Sequence, residues 1–412
     1  MTDELSRTAF ERIAASHPWL VRVRPAAEVV PGLAPNLILH AAPPTRWAEM
    51  GDLLRGGMIG AALFEGLART PEEAVARAES GEIRFAAAQD HGGMAGGVGS
   101  LTASMPVMVV EDRSTGARST HNLMEGLGRT LVSGAYDGEV LSRLAWFRDE
   151  LGPTLDRALA ALGGIDLREL IAEALTRGDE LHNRNRAATS LLVNHLTLGM
   201  LEAGIQPAEQ LRALRFVAGN PQFFVGAVLP AAKLMLSAAH GIAGCSIVTA
   251  LGANGRDCGL QLSGTGESWF IAPGETPTGV LQPGAFADEV APGCGDSFVA
   301  ELAGFGASVL PAAPALCPVI GVGLGDAERF AENAYTLAVG EHPYYRVPAL
   351  GFRGIPIGFD ARRIVHMGIR PVIDIMMCHR RPGIGLVGMG TVSAPLSCFQ
   401  DALAALDGTN HT

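Results

Sequence analysis

Eight consecutive residues, Gly178-Asp179-Glu180-Leu181-His182-Asn183-Arg184-Asn185, place two carboxylates, an imidazole, a guanidinium and two amides inside otherwise apolar sequence. An acid beside an imidazole can move a proton to or from a substrate, and a guanidinium among amides can hold an anion. Apolar residues recur at helical spacing before the octet (Leu167, Leu170, Ile171, Ala174, Leu175), and Ala187, Leu191, Leu192, His195 and Leu196 keep that spacing after it, which predicts that it caps or continues a helix. On that helix Asp179, His182 and Arg186 share one face and Glu180, Asn183 and Arg184 the next, so Glu180 can orient His182 or act as a base. A solvated helical turn with local ion pairs accounts for the same residues.

Four further stretches carry reactive or anion-binding types. Asp90-His91-Gly92-Gly93-Met94-Ala95-Gly96-Gly97-Val98-Gly99 has a backbone free enough to approach a ligand and to aim N–H groups at one point, with His91 as a proton donor. A tight turn with an incidental histidine is the plainer alternative. In Gly293-Cys294-Gly295-Asp296-Ser297, Asp296 or Ser297 can cap a helix over 297–305, whose first N–H groups favour a phosphate or carboxylate. Glu125 and Arg129 stand four apart and pair if that stretch is helical. At Cys378-His379-Arg380-Arg381-Pro382-Gly383 a buried strand delivers an imidazole and cations to a glycine turn, while adjacent strand residues face opposite ways, so Cys378 and His379 make no dyad. A metal would need His40, His91, Glu180 or His182 to converge, and no metal or cofactor is assigned. Neither a nucleophile elbow nor a phosphate-binding P-loop is present, and the glycine loops do not read as a dinucleotide fingerprint.

The elements that must position these groups follow from periodicity. Helices are predicted over 5–15, 58–67, 71–78, 229–239, 297–305 and 327–338, with Thr70 capping and Pro71 opening the third. Strands are predicted over 20–24, 37–40, 83–87, 105–111, 259–263, 269–272 and 372–377. From 137 to 202 the pattern is almost wholly helical, and the last eight residues read as frayed. The expectation is an α+β (mixed α/β) fold, with α/β domains at 1–136 and 206–412 flanking an inserted helical module at 137–205.

Composition narrows the classes. With 412 residues, 48% hydrophobic and 18% charged, the chain can bury a large core. A net charge of −11 without a basic block argues against nucleic acid as a partner. The six cysteines lie far apart and make neither a zinc knuckle nor a disulfide framework, and the start Met1-Thr2-Asp3-Glu4 lacks a signal peptide, so a cytoplasmic protein is expected. Prolines 311, 314 and 318 break the one uncharged stretch of membrane-spanning length, 305–325, which reads as buried loops and short strands. One lysine, Lys233, stands against thirty arginines.

Taken in order, the stretches at 36–44, 55–62, 92–96, 104–107, 124–128, 178–185, 295–297, 352–358 and 382–385 resemble the AllG-type subunit family of oxamate carbamoyltransferase (YlbE-like) over nearly the full chain. Among them are Met124-Glu125-Gly126-Leu127-Gly128 and Phe352-Arg353-Gly354-Ile355-Pro356. The resemblance implies carbamoyl transfer between carbamoyl phosphate and oxamate, giving oxalurate and phosphate, in purine and allantoin catabolism. It implies activity only with partner subunits, an AllF/FdrA-like relative of acyl-CoA synthetases and an AllH-like protein. In that reading His91, Glu180 and His182 are catalytic. Gly92, Gly93, Gly96, Asn183, Arg184, Asn185, Gly295, Asp296, Ser297, Arg353, His379 and Arg380 hold the anionic substrates. Gly93 stands where the family has proline, and Cys378-His379-Arg380 replaces an alanine-histidine-lysine pattern, which leaves the acceptor open. A hydrolase or ring-opening amidase on a cyclic ureide, and a non-catalytic scaffold subunit, are the competing functions.

Overall fold

The computed structural model describes residues 2–409 and is an α+β protein, as expected. Its strands form several small sheets rather than one large one. The largest runs in the order Gly93–Met94, Arg118–Asn122, Pro106–Asp112, Pro18–Pro25, Ile165–Asp166, with the middle strands antiparallel. Against it lies the helix Val225–Ser237, whose residues from Val225 to Leu236 are all buried. A helix apolar on every face but at Lys233 must be enclosed, and this one is the central post of the fold. One apolar cluster, reaching from Ala9 to Leu406, draws on all three stretches of the chain.

Many elements stand where periodicity puts them. The strand Leu37–His40 matches its expected bounds, and helices occupy Thr2–Ala15, Pro71–Ser80 and Leu324–Leu337. Thr70 accepts the Glu73 N–H, and Pro71 fills the first helical position, where no N–H is needed. The helix expected from 58 begins earlier, as Asp52–Glu65, and its Gly56-Gly57 face packs too tightly for any side chain: a Cβ on either would come within 2.3 Å of Pro382 or Val98. The 297–305 stretch forms only the turn Asp296–Phe298 and the short helix Val299–Leu302. Between 305 and 325 there are short helical turns and no strands among the described residues, and no helix is long and apolar enough to cross a membrane. The expected fraying at 405–412 is overturned up to Thr409, where the helix Leu396–Thr409 ends, and its remainder lies outside the described residues.

The octet departs most from expectation. It caps the helix Arg186–Glu202 but does not continue a helix, forming instead a folded loop after the helix Leu167–Thr176. Gly178 at φ +92° and Leu181 at φ +71° turn the chain through the left-handed region. The Glu180 carboxylate then collects the N–H groups of His182, Asn183 and Arg184 at 2.6, 2.5 and 2.7 Å. Asp179 supplies the cap, accepting the Ala188 N–H at 2.8 Å. Local acid-to-backbone bonds have therefore outcompeted the helix. Glu125 and Arg129 do not pair either: their segment is not helical, so Glu125 meets Arg143 at 2.8 Å and Arg129 meets Asp137 at 2.7 Å.

Candidate functional site

A recessed pocket opens where three of the predicted stretches meet beside the start of the central helix. Gly96 and Gly97 come from the first glycine loop, Cys294 and Ser297 from the second, and His182 and Asn183 from the octet; Met124, Gln222 and Val225 close it. The backbone at Gly97 (φ +56°) admits no other residue, since a Cβ would stand 2.0 Å from the Val132 carbonyl oxygen. Gly96 donates its N–H to His121 Nε2 at 3.1 Å, while His121 Nδ1 bonds the Asn122 carbonyl at 2.7 Å. Burial lowers His121 to about 4, so a neutral ring with a fixed tautomer anchors the loop.

Behind the pocket wall His182 meets two carboxylates from other parts of the fold. Its Nδ1 lies 2.9 Å from Glu301 Oε1 and 2.8 Å from Asp374 Oδ1. Glu301 is carried by the helix Val299–Leu302 and Asp374 by the strand Val372–Cys378, and neither side chain is exposed. Asn183 Nδ2 donates to Asp374 Oδ1 at 3.1 Å, and the Asp374 N–H donates to Glu301 Oε1 at 3.2 Å. Burial opposes the imidazolium, but the charges of Glu301 and Asp374 override it and hold His182 well above its ordinary pKa. Burial pushes Glu301 up to about 8 despite the imidazole beside it. Glu180 also stands well above the carboxylate range, first through burial and then through repulsion by Asp374. Glu301 Oε2 and Asp374 Oδ2 are buried without a hydrogen-bond partner among the described residues.

Comparison with known proteins bears on this constellation. The family described as "Oxamate carbamoyltransferase subunit AllG" matches residues 83–297, which hold the first glycine loop, the octet and Ser297. The Escherichia coli K12 protein named as that subunit is 37% identical over 407 residues, covering 98% of this chain and 97% of its own. This chain belongs to the AllG family. Escherichia coli YahG, described as uncharacterised, is also 37% identical, over 97% of this chain and 84% of its own length. A crystal structure of a conserved Enterococcus faecalis V583 protein of unknown function superposes with a TM-score of 0.97 at 34% identity, covering 99% and 98% of the two chains.

The AllG-family fold gathers some of the predicted site residues and scatters others. Gly96, His182, Asn183 and Ser297 line the pocket; Gly92, Gly93 and His91 do not. His91 bonds the Pro31 carbonyl at 2.8 Å on the surface. Arg184 donates to the Gly178 carbonyl at 2.8 Å and, with Arg186, edges a neighbouring cleft that shares Leu127, Asn183 and Gln222 with the pocket. Asn185 Nδ2 braces the loop through the His182 carbonyl at 2.8 Å. Arg353 is an exposed partner of Glu341 at 2.7 Å, stacked on Tyr335. His379 accepts the Arg381 N–H at 2.9 Å, and Arg380 is exposed. None of these three lines the pocket.

Asp296 is the clearest displacement from the expected capping role. Its Oδ1 accepts the Ala42 N–H at 2.9 Å and Gln89 Nε2 at 2.8 Å, and its Oδ2 accepts the Ala95 N–H at 2.9 Å. Gly295, at φ +141°, turns the chain so that this carboxylate points inward. The sole lysine supports the same knot, with Lys233 Nζ 3.3 Å from Gln89 Oε1. Burial raises Asp296 to about 7 and lowers Lys233. Burial also keeps the pocket's Cys294 thiol well above its ordinary value, which leaves it a poor nucleophile.

Sequence reading missed Glu301 and Asp374. Each was visible as a lone carboxylate in an apolar run, Val299-Ala300-Glu301-Leu302-Ala303 and Val372-Ile373-Asp374-Ile375-Met376. Buried carboxylates in such runs need partners, and that demand was the available signal.

Proposed function

We propose that this chain is a subunit of a cytoplasmic carbamoyltransferase acting on oxamate or a related ureide: carbamoyl phosphate and oxamate give oxalurate and phosphate, with oxalurate phosphorolysis the catabolic direction in purine and allantoin breakdown. The observation that carries the reading is the meeting of both glycine loops with His182 and Asn183 on one pocket. Transfer of a carbamoyl group moves charge onto a carbonyl oxygen and needs a proton exchanged at the amide nitrogen. Polar groups fixed before the reaction stabilise that charge most effectively. Asn183, Gln222 and Ser297 supply such groups at the pocket wall. The Glu301 and Asp374 carboxylates occupy His182 Nδ1, which leaves Nε2 to exchange the amide proton. Arg184 and Arg186 at the adjoining cleft offer charge for a phosphate or carboxylate.

The name of the Escherichia coli relative makes it one part of a complex, and the proposal extends this to AllF/FdrA-like and AllH-like partners here. The test is the reconstituted complex with oxalurate as substrate. The expected result is consumption that requires phosphate and yields carbamoyl phosphate. Equal turnover in phosphate-free buffer would replace the transferase with a hydrolase. Undiminished turnover of a His182→Gln complex would reduce this chain to a scaffold.

A further inference from the structure

We infer that His182, Glu301 and Asp374 form a divalent metal site, with the ion held by His182 Nδ1 and one oxygen from each carboxylate. These three donor atoms lie within 4.8 Å of one another, and all three residues are buried. The two short edges of the triangle, 2.8 and 2.9 Å from Nδ1 to the carboxylate oxygens, are close to the spacing that coordination imposes. Donors about 2.1 Å from an ion and about 90° apart are separated by roughly 3 Å. Coordination would replace the two Nδ1 hydrogen bonds, with the third edge of the triangle bounded at 4.8 Å.

Two independent features point to a cation here. The first is a surplus of acceptors: Glu301 Oε2 and Asp374 Oδ2 are buried and have no partner among the described residues, although buried carboxylate oxygens are costly when unmet. The second is charge. No lysine or arginine pairs with either carboxylate among the described residues, and the nearby Glu180 adds a third buried acid. A divalent ion on a neutral imidazole would neutralise both carboxylates in their ionised forms. Glu301 is closely packed on the side of Gly306. Gly306, at φ +59°, sits so near that a Cβ would come within 2.4 Å of Glu301 Oε1.

One imidazole with two carboxylates suits Mn²⁺, Fe²⁺ or Zn²⁺ better than a thiolate-seeking ion. Because the ligands are buried, the ion would be taken up as the chain folds. Coordination through Nδ1 fixes the tautomer that presents Nε2–H, so the metal would act as a positioning element for a ring that lines the pocket. The inference stands apart from carbamoyl transfer, since uptake is read without turnover.

The test is elemental analysis of the full-length protein purified from cells grown with added Mn²⁺, Fe²⁺ and Zn²⁺. About one ion per chain is expected, falling at least tenfold in Glu301→Gln and Asp374→Asn but not in the surface control His195→Ala. Should the core variants fail to fold, pulsed electron paramagnetic resonance of the Mn²⁺-loaded wild type decides, with one directly bound imidazole nitrogen expected. Wild-type protein that folds without a stoichiometric ion, an ion without nitrogen coupling, or retention of the ion by folded Glu301→Gln and Asp374→Asn proteins would each overturn the site.

Discussion

Two buried carboxylate knots flank the same pocket, and they are built on opposite terms. At Asp296 every carboxylate oxygen meets an N–H donor, and the only lysine of the chain reaches in through Gln89. At His182 two acids share one imidazole, and each keeps one oxygen without a hydrogen-bond partner among the described residues. A satisfied knot rigidifies the loops that it ties, whereas an unsatisfied one is a place where something else must bind or react. The proposed function gives Asp296 a stabilising role and His182 a chemical one, whereas the sequence places His182 among the catalytic and Asp296 among the anion-binding residues.

The sharpest way to break this contrast is His182→Gln. In the assembled complex, turnover is expected to fall by about 10²- to 10⁴-fold, the range for loss of a proton-transferring side chain, with the complex still intact by gel filtration. A collapse of assembly with unchanged turnover per complex would make both knots structural.

Asp296→Ala should act on folding instead. It strips the acceptor from three donors and leaves Lys233 without its nearby negative charge, for an expected loss of about 3–5 kcal/mol in urea unfolding. A cost below about 1 kcal/mol would end the claim that this knot holds the pocket loops together.

The two knots also separate by pH. Asp296 is raised from 3.8 to about 7 in the folded state, chiefly by burial, so folding takes up a proton between those values. Its contribution to stability is fully present below the unfolded pKa and is lost as pH rises through about 7. Stability of the wild type relative to Asp296→Asn is therefore expected to decline from pH 4 to 7, by an amount of the order of a few kcal/mol. Parallel curves for the two proteins would show that the carboxyl does not titrate with folding.

The smallest effect is expected at Arg353, whose exposed pair with Glu341 and stacking on Tyr335 are worth about 1 kcal/mol or less. Thermal unfolding of Arg353→Ala checks this, and a much larger loss would reveal a structural role that its exposure hides.

How far the sequence could be read differs by kind of signal. The helices at Thr2–Ala15 and Pro71–Ser80 and the strand Leu37–His40 were legible because periodicity, caps and turn residues act over a few positions. The octet was legible as a cluster but not as a shape. Its apolar flanks predict a helix, while Glu180 satisfies three successive N–H groups that a helix would leave to its own carbonyls. His91, Arg353 and Arg380 carried suitable chemistry in glycine-rich surroundings, yet composition cannot say whether a loop faces a pocket or solvent.

By itself the sequence determined an α+β chain, a large apolar core, the resemblance to the AllG family, and an acid-and-imidazole cluster together with two glycine-rich stretches. Those properties are local or compositional, so they survive reading one residue after another. Only the tertiary structure decided which acids meet His182. Glu301 lies 119 positions away, and Asp374 is one further carboxylate that no spacing rule connects to the octet. The physical reason is that such a meeting depends on how the helix Val299–Leu302, the strand Val372–Cys378 and the octet loop pack, and packing is set by the whole core at once.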